Sequence, residues 1–220
     1  MLISVNGIDL YYEKRGDEKA RPLILVHGNS EDHTIFDQAL LLLEKRFCCY
    51  AVDSRCHGQS GEGPLHYSDM AADMLTFMEA LDLRDVIFYG FSDGGIVGLL
   101  TASQTDRVTT LITSGANLNP NGVKLPLRLL VGAIHLVKRD PKMALMLREP
   151  WISDDVLRRI KAHTIVLAGS KDVIAEKETR HIAETVPNAE LHILQGEGHG
   201  SYIIHSEKIA KLIMENCRIG

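Results

Sequence analysis

Ser92 lies in the run Gly90-Phe91-Ser92-Asp93-Gly94-Gly95, after an apolar stretch at residues 85–89 and before another at residues 96–103. The first stretch has the length and the β-branched and aromatic content of a buried strand, and the second reads as a buried helix. A serine between glycines on a strand-to-helix turn is a nucleophile elbow. The turn is tight, so its neighbours must be small, and its strain lifts the hydroxyl above the sheet edge. The helix that starts there aims its first N–H groups and its positive dipole end at any oxyanion formed beside it. A glycine-rich turn that only packs closely has the same letters, so the reading depends on partners elsewhere in the chain.

A serine hydroxyl needs a base, and the base needs an orienting acid. The strand expected at residues 164–168 runs into Gly169-Ser-Lys-Asp172, and the last expected strand, 190–194, runs into Gly196-Glu-Gly-His199-Gly. Ser92, Asp172 and His199 therefore each follow the C-terminal end of a strand, the edge where open α/β sheets place their sites. His205 is a rival base and Glu197 a rival acid. The Gly-His199-Gly setting favours His199. Glu197 is too near His199 in sequence to approach the imidazole from the neighbouring strand. In this scheme His199 accepts the Ser92 proton and returns it to the leaving group, while Asp172 fixes the imidazole tautomer.

The order Ser…Asp…His is that of the α/β-hydrolase fold, and the chain resembles serine hydrolases of that family over nearly its whole length. His27-Gly28-Asn29, after the strand at 23–26, matches the family's oxyanion loop. Asp53-Ser-Arg-Cys56-His57-Gly-Gln-Ser60 matches the family's D-x-R-G-H-G-x-S loop, with Cys56 for the usual glycine. Phe36 stands where many relatives carry tryptophan. The resemblance implies a mostly parallel eight-stranded sheet with helices on both faces and a small helical cap. It also implies an oxyanion hole made by the backbone N–H groups of Asn29 and Asp93. Cys56 puts the backbone of its turn in question, because glycine tolerates a positive φ and cysteine does not. The Ser-Asp-Gly-Gly elbow resembles that of α-amino acid esterases of the valacyclovir-hydrolase type. That makes Asp93 a candidate for binding a cationic substrate group; the alternative is that it complements the helix N-terminus or pairs with an arginine.

Several elements must position these residues. Residues 3–5 and 8–14 flank Asn6-Gly7, a two-residue hairpin turn. Strands follow at 22–27, 47–52 and 108–113, with helices at about 36–45, 68–81, 176–186 and 206–217. Met70, Met74, Phe77 and Leu81 share one helical face and read as core. Strands alternating with helices imply a parallel sheet covered on both sides. The interval 117–162 is too long for a simple connection and is assigned to the cap, with 1–116 and 163–220 forming the core. Within it Leu127, Leu130, Ile134 and Val137 form one stripe, and Lys124, Arg128, His135 and Arg139 another. Met143, Met146 and Leu147 suggest a second helix, and Trp151 is expected to contact substrate. The amphipathic cap is read as a cover for the pocket; its basic face leaves membrane-surface binding as the alternative.

The 220 residues suffice for one sizeable domain, and the net charge of −5, without a basic run, argues against a nucleic-acid partner. No stretch is long enough to span a bilayer, and the N-terminus has no signal-peptide pattern, so neither stable membrane association nor export is expected. Cys48, Cys49, Cys56 and Cys217 lack metal spacing and read as free thiols of a cytoplasmic protein, Cys48 and Cys49 pointing to opposite sheet faces. No metal and no cofactor are called for. The resulting expectation is a hydrolase of a small carboxylic ester, with an aminoacyl ester as one form. C–C bond, thioester or peracid chemistry on the same triad, or a receptor that kept the pocket, are the alternatives.

Overall fold

The computed structural model describes residues 1–217; the end of the expected core segment, 218–220, lies outside the described residues. Its strands are β1 (Leu2–Val5), β2 (Ile8–Arg15), β3 (Pro22–Val26), β4 (Cys48–Val52), β5 (Val86–Phe91), β6 (Val108–Ser114), β7 (His163–Gly169) and β8 (Ala189–Leu194). They form one eight-stranded sheet in the order β1-β2-β4-β3-β5-β6-β7-β8. Asn6 and Gly7 both have positive φ, 45° and 81°, which gives the β1–β2 turn the twist a hairpin needs. β1–β2 and β2–β4 are antiparallel, and every later pairing is parallel. The parallel strands consequently deliver Val26, Val52, Phe91, Ser114, Gly169 and Leu194 to one edge.

The helices are α1 (Asp37–Leu43), α2 (Tyr67–Ala80), α3 (Asp93–Ala102), α4 (Leu125–Lys138), α5 (Pro141–Arg148), α6 (Asp154–Arg158), α7 (Glu176–Thr185) and α8 (Lys208–Asn216). On one face of the sheet Met70, Met74 and Phe77 of α2, Ile96 and Leu99 of α3 and Ile182 of α7 pack on Ile24, Tyr50 and Phe88. On the other, Phe36, Leu40 and Leu43, with Ile209 and Ile213 of α8, pack on Leu23, Ile87 and Tyr89. Cys48 belongs to the first cluster and Cys49 to the second, as alternation along a strand requires. Both are buried free thiols, and burial pushes Cys49 up to about 12.

α3 begins at Asp93, earlier than the apolar run suggested, because Gly94 and Gly95 form its first turn. Between β6 and β7 the chain builds a 3-10 turn at Pro120–Gly122 and then α4, α5 and α6. Val131, beside the expected stripe, is the buried residue of α4, and Val137 at the end of that stripe is 84% exposed.

The Asp53–Ser60 loop is locked from inside. Asp53 Oδ1 accepts from the His33 N–H and ring, and Oδ2 accepts from the Gln59 N–H. Arg55 forms a two-pronged pair with Asp73 of α2 at 2.7 Å on each arm, both side chains buried. Cys56 holds φ at 63°, so the cysteine keeps a glycine-like, left-handed backbone. Its Sγ donates to Gly63 O at 3.3 Å. Relief of that strain outweighs the lost contact and the chain entropy of glycine. Cys56→Gly is therefore expected to stabilise the fold by about 1 kcal/mol, seen as a rise of about 3 °C in Tm by calorimetry.

Candidate active site

Ser92 sits at φ 53°, ψ −112°, on the turn between β5 and α3. Added Cβ atoms show why its flanks are glycine. One on Gly90 would lie 2.1 Å from Gly94 O, and one on Gly94 would lie 2.2 Å from Val26 O. The Gly94 N–H donates to His27 O at 3.0 Å, drawing α3 onto the end of β3. The backbone N–H groups of Asn29 and Asp93 find no acceptor among the described residues. The Gly28 N–H, by contrast, is taken by Glu31 Oε2 at 2.9 Å.

His199 follows β8, and Asp172 follows β7. His199 Nε2 stands 3.1 Å from Ser92 Oγ, and its Nδ1 is 2.7 Å from Asp172 Oδ1. Asp172 Oδ1 also accepts from the Ile174 N–H, which makes Nδ1 of His199 the donor and leaves Nε2 free to accept the serine proton. The rivals lie elsewhere. His205 pairs with Asp37, and Glu197 bonds Ser201 and Lys208. The imidazole is packed by Phe91, 4.9 Å between ring centres, and by Gly115 at φ 64°. A Cβ on Gly115 would lie 2.7 Å from His199 Cε1 and 2.9 Å from Nδ1.

His27 braces the loop that follows β3. Its Nδ1–H donates to Gly28 O at 2.8 Å, and Nε2 accepts from the Ser54 N–H at 3.0 Å. Burial lowers its pKa from 6.5 to about 4. Asp32, His33 and Asp53 bring donor atoms within 4.8 Å of one another. Their lone pairs serve the loop N–H groups already described and Thr34, so this cluster acts as a loop clamp.

Two spaces meet at Ser92 and His199. The larger, about 260 Å³, is walled by Phe91, Leu127, Leu130, Val131, Ile134, Met143 and Met146, with Gly28, Asn29 and Glu31 at its polar end. The smaller, about 20 Å³, is a slot lined by Tyr67, Asp93, Asn117, Val123, Glu149 and Ile174, among others. Asp93 is only 3% exposed. Its Oδ1 accepts from Tyr67 OH at 2.8 Å and its Oδ2 from Asn29 Nδ2 at 2.9 Å. Burial raises its pKa, and these two donors oppose the rise. No arginine among the described residues is involved. The side chain ties the oxyanion loop to α2 and α3.

Trp151, the expected substrate contact, borders neither of these two spaces. It is 73% exposed, and its indole N–H donates to Arg148 O at 2.8 Å. The chain is extended here, with Pro150 and Ile152 turned inward, and alternation turns Trp151 outward. Sequence reading missed Glu31, Tyr67 and Phe91. Phe91 lay inside the recognised elbow, whereas Glu31 and Tyr67 carry no local pattern.

The profile of the family described as alpha/beta hydrolase fold matches residues 21–144. The chain belongs to the α/β-hydrolase fold family. Relatives of this family member include serine hydrolase BPHL of Mus musculus, 24% identical over 96% of this chain and 84% of that one. A putative non-heme chloroperoxidase of Synechocystis sp. is 24% identical over 94% of each. Among solved structures, the esterase RhEst1 of Rhodococcus sp. ECU1013 superposes with a TM-score of 0.79 at 22% identity, covering 98% of this chain and 96% of that one. The enol-lactonase of Burkholderia xenovorans LB400 gives 0.81 at 20%, covering 98% of each chain. Among the described residues, no helix of this hydrolase-fold chain is long and apolar enough to cross a membrane.

Two outcomes follow from the packing. Gly115→Ala pushes the imidazole off its line between Ser92 and Asp172. It is expected to lower ester turnover about 100-fold with the far-UV circular dichroism of the fold retained. For His27, the proton is disfavoured in the folded state, so the unfolded chain binds more protons between pH 6.5 and about 4. Its contribution to stability is complete above pH 6.5 and declines as pH falls toward about 4. Urea titrations across that window should show a shallower decline for His27→Asn, which keeps a donor near Nδ1 and does not titrate.

Proposed function

We propose that this α/β-hydrolase is a serine hydrolase that cleaves small carboxylic esters through an acyl-enzyme. The observation that carries the reading is the continuous line from Ser92 Oγ to His199 to Asp172, 3.1 Å and 2.7 Å, together with two backbone N–H groups, of Asn29 and Asp93, that have no acceptor among the described residues. Ser92 Oγ attacks the ester carbonyl carbon as its proton passes to His199 Nε2. The carbonyl oxygen becomes an oxyanion that accepts from the N–H groups of Asn29 and Asp93. One such donor is worth about 3 kcal/mol of barrier. The ester C–O bond then breaks, and the alcohol oxygen takes the proton from Nε2. Water attacks the acyl-enzyme, gives its proton to the same nitrogen, and releases the acid and Ser92.

Both spaces border Ser92: the larger is apolar and sized for a short chain or small ring, and the smaller, about 20 Å³, has room for little more than a water molecule. Fluorophosphonate labelling tests the reading. Wild type is expected to label at Ser92, located by peptide mass spectrometry, and to hydrolyse p-nitrophenyl acetate and butanoate. Ser92→Ala is expected to do neither. A folded wild type that takes no label defeats the hydrolase assignment in favour of a binding protein.

A further inference from the structure

Glu31 is a carboxylate that the ester chemistry above leaves unused. It lies at the polar end of the larger cavity, beside the nucleophile. A Cβ placed on Gly28 would be 2.7 Å from Glu31 Oε2 and 3.1 Å from Ser92 Cβ. Its Oε2 accepts from the Gly28 N–H, and no lysine or arginine pairs with it among the described residues. The remaining wall of the cavity is apolar, apart from Asn29, Ser92 and His199. Burial pushes the carboxyl pKa up, and His199 opposes the rise.

A structural role accounts for one oxygen only. A neutral glutamine would hold the Gly28 N–H equally well. The charge itself is costly here, because it is half-buried with no lysine or arginine beside it among the described residues. Asp93, the other acid at the site, is differently placed. Both of its oxygens accept protein donors, and it borders the narrow slot.

We propose that Glu31 sets the charge selectivity of the larger cavity by receiving a protonated amine that the substrate carries close to its scissile carbonyl. The inference rests on the ester-hydrolase reading. An ammonium at that position offsets the carboxylate, shields the oxyanion from it and donates to the oxygen that Gly28 does not use. A neutral acyl group meets the uncompensated charge, and an acyl group bearing a second carboxylate is repelled.

Two p-nitrophenyl esters of nearly equal shape make the test, butanoate and 3-aminopropanoate, the latter with an ammonium in place of the terminal methyl. The readout is the ratio of their kcat/KM values in wild type, Glu31→Gln and Asp93→Asn. Glutamine keeps the Gly28 hydrogen bond, and thermal melting checks that each variant is folded. In Glu31→Gln the ratio of aminopropanoate to butanoate is expected to fall at least about ten-fold, the size of one charged hydrogen bond, with the butanoate value rising. An unchanged ratio overturns the proposal, as does a ratio that falls only in Asp93→Asn. Calorimetric binding of n-pentylammonium against pentan-1-ol separates this inference from the reading it rests on. Should neither ester turn over and Ser92 stay unlabelled, the hydrolase reading falls. In that event, preferential ammonium binding lost in Glu31→Gln still supports the Glu31 site. No preference, or one that survives the substitution, removes it.

Discussion

The site depends on the absence of two methyl groups. With no Cβ at Gly90 or Gly94, the first turn of α3 closes onto the ends of β3 and β5, where side-chain carbon would stand about 2 Å from backbone oxygen. That approach forces Ser92 into a left-handed backbone, a strain of about 1–3 kcal/mol that the surrounding core must outweigh. The Ser92 N–H is held by Ser114 O at 2.8 Å, and the helix N–H groups behind it return to Ser92 O.

The positions of Ser92, Asp172 and His199 were legible because each follows an apolar strand and sits among small residues, and parallel strands of one sheet end on one edge. The sheet itself could be read for the same reason: period and turn chemistry are local. What could not be read was decided across long sequence separations. Tyr67 reaches Asp93 from another helix, and that contact turns a candidate substrate carboxylate into a structural tie. Trp151 lies on an extended stretch between buried Pro150 and Ile152 and is exposed, away from the two spaces at Ser92. Cys56 showed the limit of residue preference: the loop around Asp53 and the Arg55–Asp73 pair hold its backbone where glycine would sit. Glu31 had no periodicity to reveal it, only a charge in a loop, and its meaning came from the hydrophobic wall opposite.

The segment between β6 and β7 supplies that wall. Leu127, Leu130, Val131 and Ile134 of α4 and Met143 and Met146 of α5 line the cavity, while Leu129 and Leu136, and Val137 in the last turn, are exposed. Flexible methionines beside branched residues give a surface that can adapt to ligand shape. The polar end of the cavity, from Gly28 to Glu31, is rigid by comparison, because His27 is bonded through both ring nitrogens.

The ends of this segment are fastened to the reaction centre. Lys124, just before α4, donates its ammonium to Asp172 O at 2.5 Å and its backbone N–H to Val173 O. In α5 the Lys142 carbonyl accepts from Asn29 Nδ2, and Glu149 accepts from His66 and from the Tyr67 N–H. The cavity wall and the residues around Ser92 thus share anchors. Residues along the inner side of the helices can drift to suit new substrates. Wholesale grafting of this segment from a cousin would import foreign moorings for the acid and the oxyanion loop along with the new lining.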